Sequence, residues 1–174
     1  MFIIRVFGKF LYKLIAIRLP SSVSKLKVGQ RQFRVLCAKM MGVKVGKKVN
    51  IEKGAIFSKY LAIGDYSGVG INCRLYGKIT IGKNCLMAPD VVMITTNHKF
   101  DRIDIPIKEQ GVEQEKPIII EDDVWIGERV IILPGVTLHK GCIIGAGSVV
   151  TKDVPSYSIA VGNPAIVKKR RNEL

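Results

Sequence analysis

Residues 117–154 read PIIIEDDVWIGERVIILPGVTLHKGCIIGAGSVVTKDV, and an aliphatic residue recurs in this stretch at every sixth position. The fourth residue after each of these is also small or apolar, and glycine often follows the aliphatic residue, where a turn needs a permissive backbone. A strict six-residue repeat is typical of a parallel β-helix, in which each hexad supplies a short strand and a corner. The recurring aliphatic residues are Ile120, Ile126, Ile132, Leu138, Ile144 and Val150.

The same six-residue interval occurs upstream, where nine successive positions are all apolar. Such a run has odds of roughly one in several hundred for a fixed register in a half-hydrophobic chain. The step from Met93 to Ile120 is 27 residues, which is not a multiple of six. Residues of about 95–117 are therefore predicted to leave the prism as a protruding polar loop. With three hexads to a coil, the two runs predict about five coils. The upstream run is Val45, Ile51, Phe57, Ile63, Val69, Leu75, Ile81, Met87 and Met93.

The charge of the chain is strongly uneven along its length. Its 174 residues include 28 Lys and Arg against 14 Asp and Glu, which gives a formal net charge of +14. Residues 1–50 contain twelve basic residues and no acidic one, whereas residues 51–167 contain twelve basic and thirteen acidic residues. A nucleic-acid-binding domain usually spreads positive charge over its folded face and interleaves aromatic residues, but only 7% of this chain is aromatic. Nucleic acid is therefore not expected as a partner.

Residues 1–20 are apolar but contain four basic residues, which interrupt every stretch that could serve as a signal peptide or membrane span. The spacing predicts an amphipathic helix with one apolar stripe and basic residues on another face. Two interpretations stay open: the stripe lies on an anionic membrane surface, or it packs against the protein's own body. The predicted stripe is Ile3, Phe7, Phe10, Leu14 and Ile17, and the basic residues are Arg5, Lys9, Lys13 and Arg18.

A second helix is predicted around Gln30 to Met41, with Gly42 as its stop. The predicted organisation is a basic amphipathic helical segment over residues 1–42, a β-helix over residues 43–155 and a C-terminal basic tail over residues 156–174. The apolar side of the second helix is Phe33, Leu36, Cys37 and Met40.

The chain has four cysteines, and each falls at a position expected to be buried. Cys73, Cys85 and Cys142 occupy inward-facing fourth positions of hexads, and Cys37 lies on the apolar side of the second helix. No CxxC pair or secretory signal accompanies them, so disulfides and a zinc knuckle are not expected. A thiol that faces the prism core could meet neither a base nor a substrate, so a cysteine nucleophile is not expected either.

The two histidines of the chain have different settings. His98 sits in TTNHKF, where the regular repeat breaks into the loop, and His139 directly follows Leu138 inside an unbroken hexad. A general base must lie where the scaffold meets an open cleft, and imidazole has a pKa close to the working pH. His98 fits this requirement. Spacing alone also allows another interpretation, in which His98 is a loop residue that only forms a hydrogen bond with a backbone carbonyl. His139 is predicted to be a solvated surface residue.

The repeats, the loop after TTNHKF and the ordered signature GAGSVVTKDVP followed by VGNPA resemble the hexapeptide-repeat acyltransferases. The nearest members are the galactoside and maltose O-acetyltransferases and the cell-envelope polysaccharide O-acetyltransferases, and the match covers about Gly42 to Arg170. The resemblance implies a left-handed parallel β-helix, preceded here by the N-terminal helices, and a homotrimer with active sites between neighbouring prisms. It implies acetyl-CoA as donor, with no metal required. His98 falls on the family's catalytic histidine, and Asn72 in GINCRLYG matches an asparagine that contacts the acceptor.

The resemblance also assigns a donor site for acetyl-CoA. One position departs from the family, because Ile166 replaces the Arg or Lys that often follows NPA. Any of the cations Lys168, Lys169, Arg170 and Arg171 can compensate by pairing with a phosphate, but a solvated basic tail is the alternative for these four residues. The residues that the resemblance assigns to the donor are Trp125, Gly127, Glu128, Ala146, Thr151, Lys152, Lys168 and Lys169.

The resulting hypothesis is an acetyl-CoA-dependent O-acetyltransferase that acts on a hydroxyl of a sugar or cell-envelope polysaccharide precursor, by direct transfer with His98 as general base. Two alternatives stay open: the same chemistry on a non-glycan or amino acceptor, such as a streptogramin-type drug, serine or an amino sugar, and an inert β-helical scaffold. The expected location is the cytoplasm, with peripheral contact of residues 1–20 at the inner face of the cell membrane as an open addition.

Overall fold

The computed structural model describes residues 2–173, and it confirms the predicted parallel β-helix with helices before it. The strands stack into three parallel sheets, which form the three faces of a prism with five complete coils and part of a sixth. We call the sheets A, B and C in the order in which the chain visits them. No helix among residues 2–173 has the length and apolar character that crossing a membrane requires.

The helices are α1 (Phe2–Leu14) and α2 (Gln30–Met41). Sheet A contains β1 (Lys44–Val45), β4 (Ala62–Ile63), β7 (Ile79–Ile81), β10 (Ile118–Ile120) and β13 (Thr137–Leu138). Sheet B contains β2 (Asn50–Ile51), β5 (Gly68–Val69), β8 (Leu86–Met87), β11 (Trp125–Ile126), β14 (Ile143–Ile144), β16 (Ser158–Gly162) and β17 (Ala165–Arg170). Sheet C contains β3 (Ile56–Phe57), β6 (Arg74–Tyr76), β9 (Val92–Ile94), β12 (Ile131–Ile132) and β15 (Val149–Val150).

The hexad register accounts for the core of the prism. Apart from the half-buried Val45, every recurring apolar residue of the two runs is buried, and so is every fourth-position residue. Side chains of the recurring residues stack in ladders because the strands pair in register from coil to coil, as in Ile63 beside Ile81. All four cysteines are free and buried, as predicted. Residues 95–117 lie outside the coils, because β9 ends at Ile94 and β10 begins at Ile118.

Helix α2 has the predicted bounds, and α1 packs on the prism through a side other than the apolar stripe. Gly42 caps α2 with φ of 98°, and its N–H donates to the carbonyls of Ala38 and Lys39. In α1 the buried residues are Gly8 and Tyr12, which lie off the stripe. The stripe residues Ile3, Phe7, Phe10 and Leu14 are exposed, at 80%, 53%, 57% and 50% of their surface.

Close approach explains why α1 docks through its less apolar side. A Cβ atom at Gly8 would lie 2.5 Å from Cβ of Met40, so the absence of a side chain lets the two helices touch. The Tyr12 hydroxyl donates to the Ala55 carbonyl at 2.8 Å, and its ring meets Phe57 edge-on at 4.9 Å. These contacts select the docked side, although the exposed side is richer in large apolar residues.

The predicted C-terminal tail is instead a β-hairpin. Strand β17 folds back antiparallel on β16, which itself continues sheet B beside β14. The charge run of Lys168, Lys169 and Arg170 suggested a solvated end, but backbone pairing does not require apolar side chains. Arg171 then fastens the end of the hairpin, since its Nη1 lies 2.8 Å from Oδ2 of Asp123.

Candidate active site

The loop of residues 95–117 is an ordered arm that presents His98. Three backbone hydrogen bonds hold its two sides together, from Lys99 to Gly111, from Glu113 to Asn97 and from Lys116 to Thr95, at 2.8 to 3.1 Å. His98 bridges Val112 across the arm through the backbone, and its side chain is exposed. The imidazole is therefore held on a fixed backbone while it stays open to a substrate.

The base of the arm is braced by Glu115, which sequence reasoning did not single out. Its Oε1 accepts hydrogen bonds from the Thr95 hydroxyl at 2.8 Å and from the Lys78 backbone N–H at 2.7 Å. Glu115 lies where the arm returns to the prism. Its carboxylate joins this point to Thr95, where the chain leaves β9, and to Lys78, just before β7. Nothing in the spacing pointed to Glu115, because it is one of many charged residues in the loop.

His139 lies in a different environment from His98. Its Nδ1 is 3.1 Å from Oε1 of Glu121, and both side chains are about two-fifths exposed. The other oxygen of Glu121 accepts the Lys140 backbone N–H at 2.7 Å. His139 is thus a partly exposed surface residue that contacts Glu121, away from the arm.

Trp125 and Lys169 share one line of outward positions on sheet B. Trp125 pairs with Ile143, Ile143 pairs with Ile159, and Ile159 pairs with Lys169. Trp125 is half exposed and Lys169 is exposed, so a flat apolar surface leads from the indole to a cation. Asp123, Ile143 and Arg171 line a depression of about 280 Å³ beside the indole. This surface could hold an elongated ligand with an anionic end.

Gly127 and Ala146 lie side by side in the turns that connect sheet B to sheet C. A Cβ atom at Gly127 would lie 2.6 Å from the Ala146 backbone nitrogen, so this position needs glycine for close packing of the two turns. Glu128 follows Gly127, is exposed and accepts the Gly147 N–H through its carbonyl at 2.8 Å. Gly127 is buried, whereas Ala146 and Gly147 are exposed, so the turn of Ala146 is the one that suits close approach of a ligand.

The candidate residues of one chain divide between two edges of the prism. Asn72, Gly127, Glu128 and Ala146 lie at the edge between sheets B and C, in the turns that follow strands of sheet B. His98, Thr151 and Lys152 lie at the edge between sheets C and A, after strands of sheet C. A single chain therefore does not bring His98 and Asn72 together.

Asn72 has a strained backbone position, with φ of 56°, and is exposed. It lines a depression of about 510 Å³ together with Arg18, Ser24 and Lys53. A Cβ atom at the neighbouring Gly54 would lie 2.1 Å from its Oδ1, so the side chain rests directly on that glycine. The asparagine tolerates the left-handed conformation that the turn requires.

The thiols take no part in this surface. Burial raises the pKa of Cys73 to about 11 and that of Cys142 to about 12, and it also raises the pKa of Cys85 and Cys37. Protonated, buried thiols are poor nucleophiles. Over residues 2–173 the structure contains no group of three or more His, Cys, Asp or Glu side chains placed to hold a metal ion.

Comparison with known proteins places the chain in a family. Residues 117–152 match the family described as bacterial transferase hexapeptide (six repeats). WcaF of Escherichia coli K12, named provisionally as a colanic acid biosynthesis acetyltransferase, is 32% identical over 146 residues, which cover 82% of this chain and 77% of WcaF. Galactoside O-acetyltransferase of Lactococcus lactis is 38% identical over 95 residues, which cover 55% of this chain and 44% of that enzyme. The chain thus spans less than half the length of several curated relatives.

Solved structures match over a larger part of the chain. A galactoside acetyltransferase in complex with coenzyme A has a TM-score of 0.79 and 31% identity, covering 98% of this chain and 82% of that one. A maltose O-acetyltransferase from Clostridium difficile 630 has a TM-score of 0.76 and 33% identity, covering 95% of this chain and 85% of that one. With the repeats, the arm and these similarities together, the chain belongs to the hexapeptide-repeat acyltransferase family of left-handed parallel β-helices.

Proposed function

We propose that the protein is an acetyl-CoA-dependent O-acetyltransferase that acts on a hydroxyl of a sugar or a cell-envelope polysaccharide precursor. The observation that carries this proposal is the exposed imidazole of His98 on a braced arm, in a fold whose relatives include galactoside and maltose O-acetyltransferases. An inert scaffold has no need for a histidine held open in this way.

The chemistry follows from the position of His98. The imidazole removes the proton from the acceptor hydroxyl while the hydroxyl oxygen attacks the thioester carbonyl of acetyl-CoA. The imidazolium then protonates the leaving thiolate. The acetyl group moves in one transfer, so no acyl-enzyme forms. Backbone N–H groups along the groove would stabilise the oxyanion.

The surface of sheet B and its neighbouring turns suits the donor. Trp125 offers an apolar platform, and Lys169 supplies a cation at the far end of the same line. Gly127 lets its turn pack under the exposed Ala146, where the pantetheine arm would approach closely. Glu128 and Lys168, both exposed, complete the proposed set on this side. Thr151 and Lys152, also exposed, lie at the edge between sheets C and A, so a neighbouring copy would bring them to the donor. The galactoside acetyltransferase structure that this chain resembles contains coenzyme A.

A homotrimer is part of the proposal. His98 and Asn72 lie at different edges of one prism, so a site that uses both must take them from two copies of the chain. The arm also exposes apolar side chains, among them Phe100, Ile103 and Val112, which a neighbouring prism would cover. A closed ring of three prisms provides three such sites.

Peripheral contact with the inner face of the cell membrane completes the proposal. The exposed side of α1 carries Ile3, Phe7 and Phe10, and the first 50 residues contain no carboxylate side chain. An apolar face with a basic flank is the pattern of a helix that lies in an anionic membrane surface. The enzyme would then work from the cytoplasm.

An acceptor screen with labelled acetyl-CoA tests the function. Sugars, nucleotide sugars, serine and drugs are offered in turn, with the His98→Ala variant as the control for background transfer. Label on a sugar hydroxyl that depends on His98 supports the proposal. Transfer only to an amine or a drug would show that the acceptor is not a sugar hydroxyl. The absence of any transfer would support an inert scaffold. Sedimentation equilibrium measures whether three chains associate.

A further inference from the structure

A continuous groove runs between α1 and the first coils of the prism. We call the part beside the start of α1 the upper part; it has a volume of about 300 Å³ and is lined by Phe2, Val6, Met41 and Phe57. Its lower part, of about 360 Å³, is lined by Lys44, Tyr60, Lys78 and Thr80. Arg5 and Lys59 line both parts, so the two depressions meet at these residues.

The two ends of the groove differ in character. The upper end is mainly apolar, with Lys9 at its rim, whereas Lys44, Lys59 and Lys78 gather at the lower end. No Asp or Glu lines either part. The ion pairs found among residues 2–173 involve none of these three lysines. Nζ of Lys59 lies 4.9 Å above the ring of Tyr60, inside the lower part.

A ligand that fits this groove must therefore be an amphiphile with an anionic group. Lysine ammonium groups bind phosphate as point charges, and an apolar depression beside them accepts a hydrocarbon segment. The helix that forms one wall supports the same conclusion, because its outer side is apolar and exposed. An amphiphile with one end in the groove would continue along that outer side into a membrane.

We propose that this groove binds the phosphate-bearing end of a membrane lipid, with the phosphate at Lys44, Lys59 and Lys78 and the first part of its chain against Val6 and Phe57. A second copy that presents the same face is a poor occupant, because both copies would present lysines to each other. In a ring of three, the neighbouring copy presents a different face, and labelling of Lys59 tests below whether that face covers the groove. An anionic lipid supplies the missing negative charge.

The position of the groove links it to the candidate active site. Lys59, Lys78 and the start of the arm lie at the edge between sheets C and A, in three successive coils. The Ser58 hydroxyl donates to the Gly77 carbonyl, and the Lys78 N–H donates to Glu115 at the base of the arm. The phosphate end of the groove therefore points along this edge toward the arm that carries His98. Resting on the proposed function, this makes a lipid-phosphate-linked sugar the acceptor class.

Binding of a single soluble lipid tests the groove without a membrane. Dihexanoyl phosphatidic acid, kept below its micelle concentration, is titrated into the full-length protein by calorimetry, with dihexanoyl phosphatidylcholine and inorganic phosphate as comparison ligands. We expect one phosphatidic acid per chain, with binding at least about tenfold weaker for phosphatidylcholine, which has no net negative charge, and for phosphate, which has no chain.

Two sets of variants separate the groove from general membrane contact. Lys44→Gln with Lys59→Gln should weaken binding of the soluble lipid about 10- to 30-fold, because two cations near the phosphate are lost. Lys83→Gln, an exposed lysine outside the groove, is the matched control and should change nothing. Phe10→Ser should reduce co-sedimentation with vesicles of phosphatidylcholine and phosphatidic acid but keep binding of the soluble lipid. Thermal unfolding confirms that each variant folds.

Three results would overturn the proposal. These are absence of phosphatidic acid binding, equal binding of inorganic phosphate, and equal losses from the groove and Lys83 variants. Protection of Lys59 from amine labelling in the lipid-free oligomer would also overturn it, because a second copy would then occupy the groove. Failure of the proposed function has a different signature: an active His98→Ala variant would remove the assigned base and leave lipid binding unchanged.

Discussion

Trp125 and Lys169 lie on one line of paired residues across sheet B, three strands apart and roughly 14 Å from each other at the usual strand spacing. Lys168 lies beside this line, at the irregularity where the pairing of β16 with β17 shifts. The basic end of the chain is thus part of the same face as the indole. In the proposed donor site, Lys169 would therefore take the place of the cation that Ile166 replaces.

Neutralising Lys169 should weaken the binding of acetyl-CoA without changing the chemical step. Lys169→Gln is expected to raise KM for acetyl-CoA about 5-fold, and the double change with Lys168→Gln up to about 50-fold, because these contacts are exposed or partly so. Because Lys169 lies far from the reacting atoms, kcat should stay the same. Steady-state kinetics with varied acetyl-CoA measures both values.

A donor without the 3′-phosphate provides the control. A contact with that phosphate cannot matter once the group is absent, so the penalty should disappear with dephospho-acetyl-CoA. Lys168→Gln alone should have the smaller effect because its side chain is off the line. An equal penalty for both donors would show that the adenosine phosphate is held elsewhere.

The two histidines should differ sharply in their effect on catalysis. His98→Ala is expected to lower kcat by at least about 10²-fold while KM for acetyl-CoA changes little, since a general base typically contributes 10²- to 10⁴-fold. His139→Ala removes only a surface contact with Glu121 and should stay within about 2-fold of the native rate. Similar losses from both variants would refute the assignment of His98.

The β-helix could be predicted because its signal is local and repeated. Each hexad directs one recurring side chain, such as Ile126 or Leu138, into the core of the prism. The sequence pattern and the burial pattern therefore coincide. The bounds of α2 could be predicted for a similar reason, because Gly42 ends the helix through its own backbone conformation. The site residues were assigned through family motifs, and their roles remain predictions.

The orientation of α1 could not be predicted, because it depends on contacts distant in sequence. The apolar stripe through Phe7 and Phe10 left open whether it lies on a membrane or packs on the prism. Steric fit at Gly8 and the hydrogen bond from Tyr12 to Ala55 select a different side of the helix for docking. For the same reason, truncation of α1 is a poor test of membrane contact. Removing residues 1–20 would take the buried Tyr12 out of the core, so surface substitutions such as Phe10→Ser are the better probe.

The buried thiols should be unreactive while the protein is folded. At pH 8, the pKa of about 11 for Cys73 keeps its thiolate fraction on the order of 100-fold below that of an exposed cysteine. Ellman's reagent should therefore label the native protein slowly and all four thiols in urea. Rapid labelling of the native protein would show that the coils open.

The same raised pKa values make stability depend on pH at the alkaline end. A thiol whose pKa is raised in the folded state contributes stability below the unfolded pKa of about 9, and this contribution decreases as the pH rises toward 11 for Cys73 and 12 for Cys142. Urea unfolding should give a lower midpoint at pH 10.5 than at about pH 8, where these thiols are protonated in both states. An unchanged midpoint would contradict the burial of the thiols.

Arg34 should be essential for attaching the N-terminal segment to the prism. Its fully buried guanidinium donates to the carbonyls of Ala16 at 3.0 Å, Leu19 at 2.6 Å and Ile51 at 3.3 Å, and also to Pro20. Arg34→Met leaves these carbonyls without their donor and should lower the free energy of unfolding by about 2–4 kcal/mol. Lys39→Met, on the exposed side of the same helix, is the control and should have little effect in urea unfolding.

Glu115 should act as a positioning residue for the arm. Its Oε1 joins Thr95 and the Lys78 backbone at the point where the arm leaves the coils, so its loss should let the arm, and with it His98, move away from the productive geometry. Glu115→Ala is expected to lower kcat about 10-fold with little change in KM for acetyl-CoA, and to speed proteolytic cleavage within residues 95–117. Glu115→Gln keeps the accepting oxygen and should restore most of both properties. Glu109→Ala, exposed elsewhere on the same arm, is the matched control for a change of charge alone. If Glu115→Ala slows the reaction no more than Glu109→Ala does, the brace does not position His98.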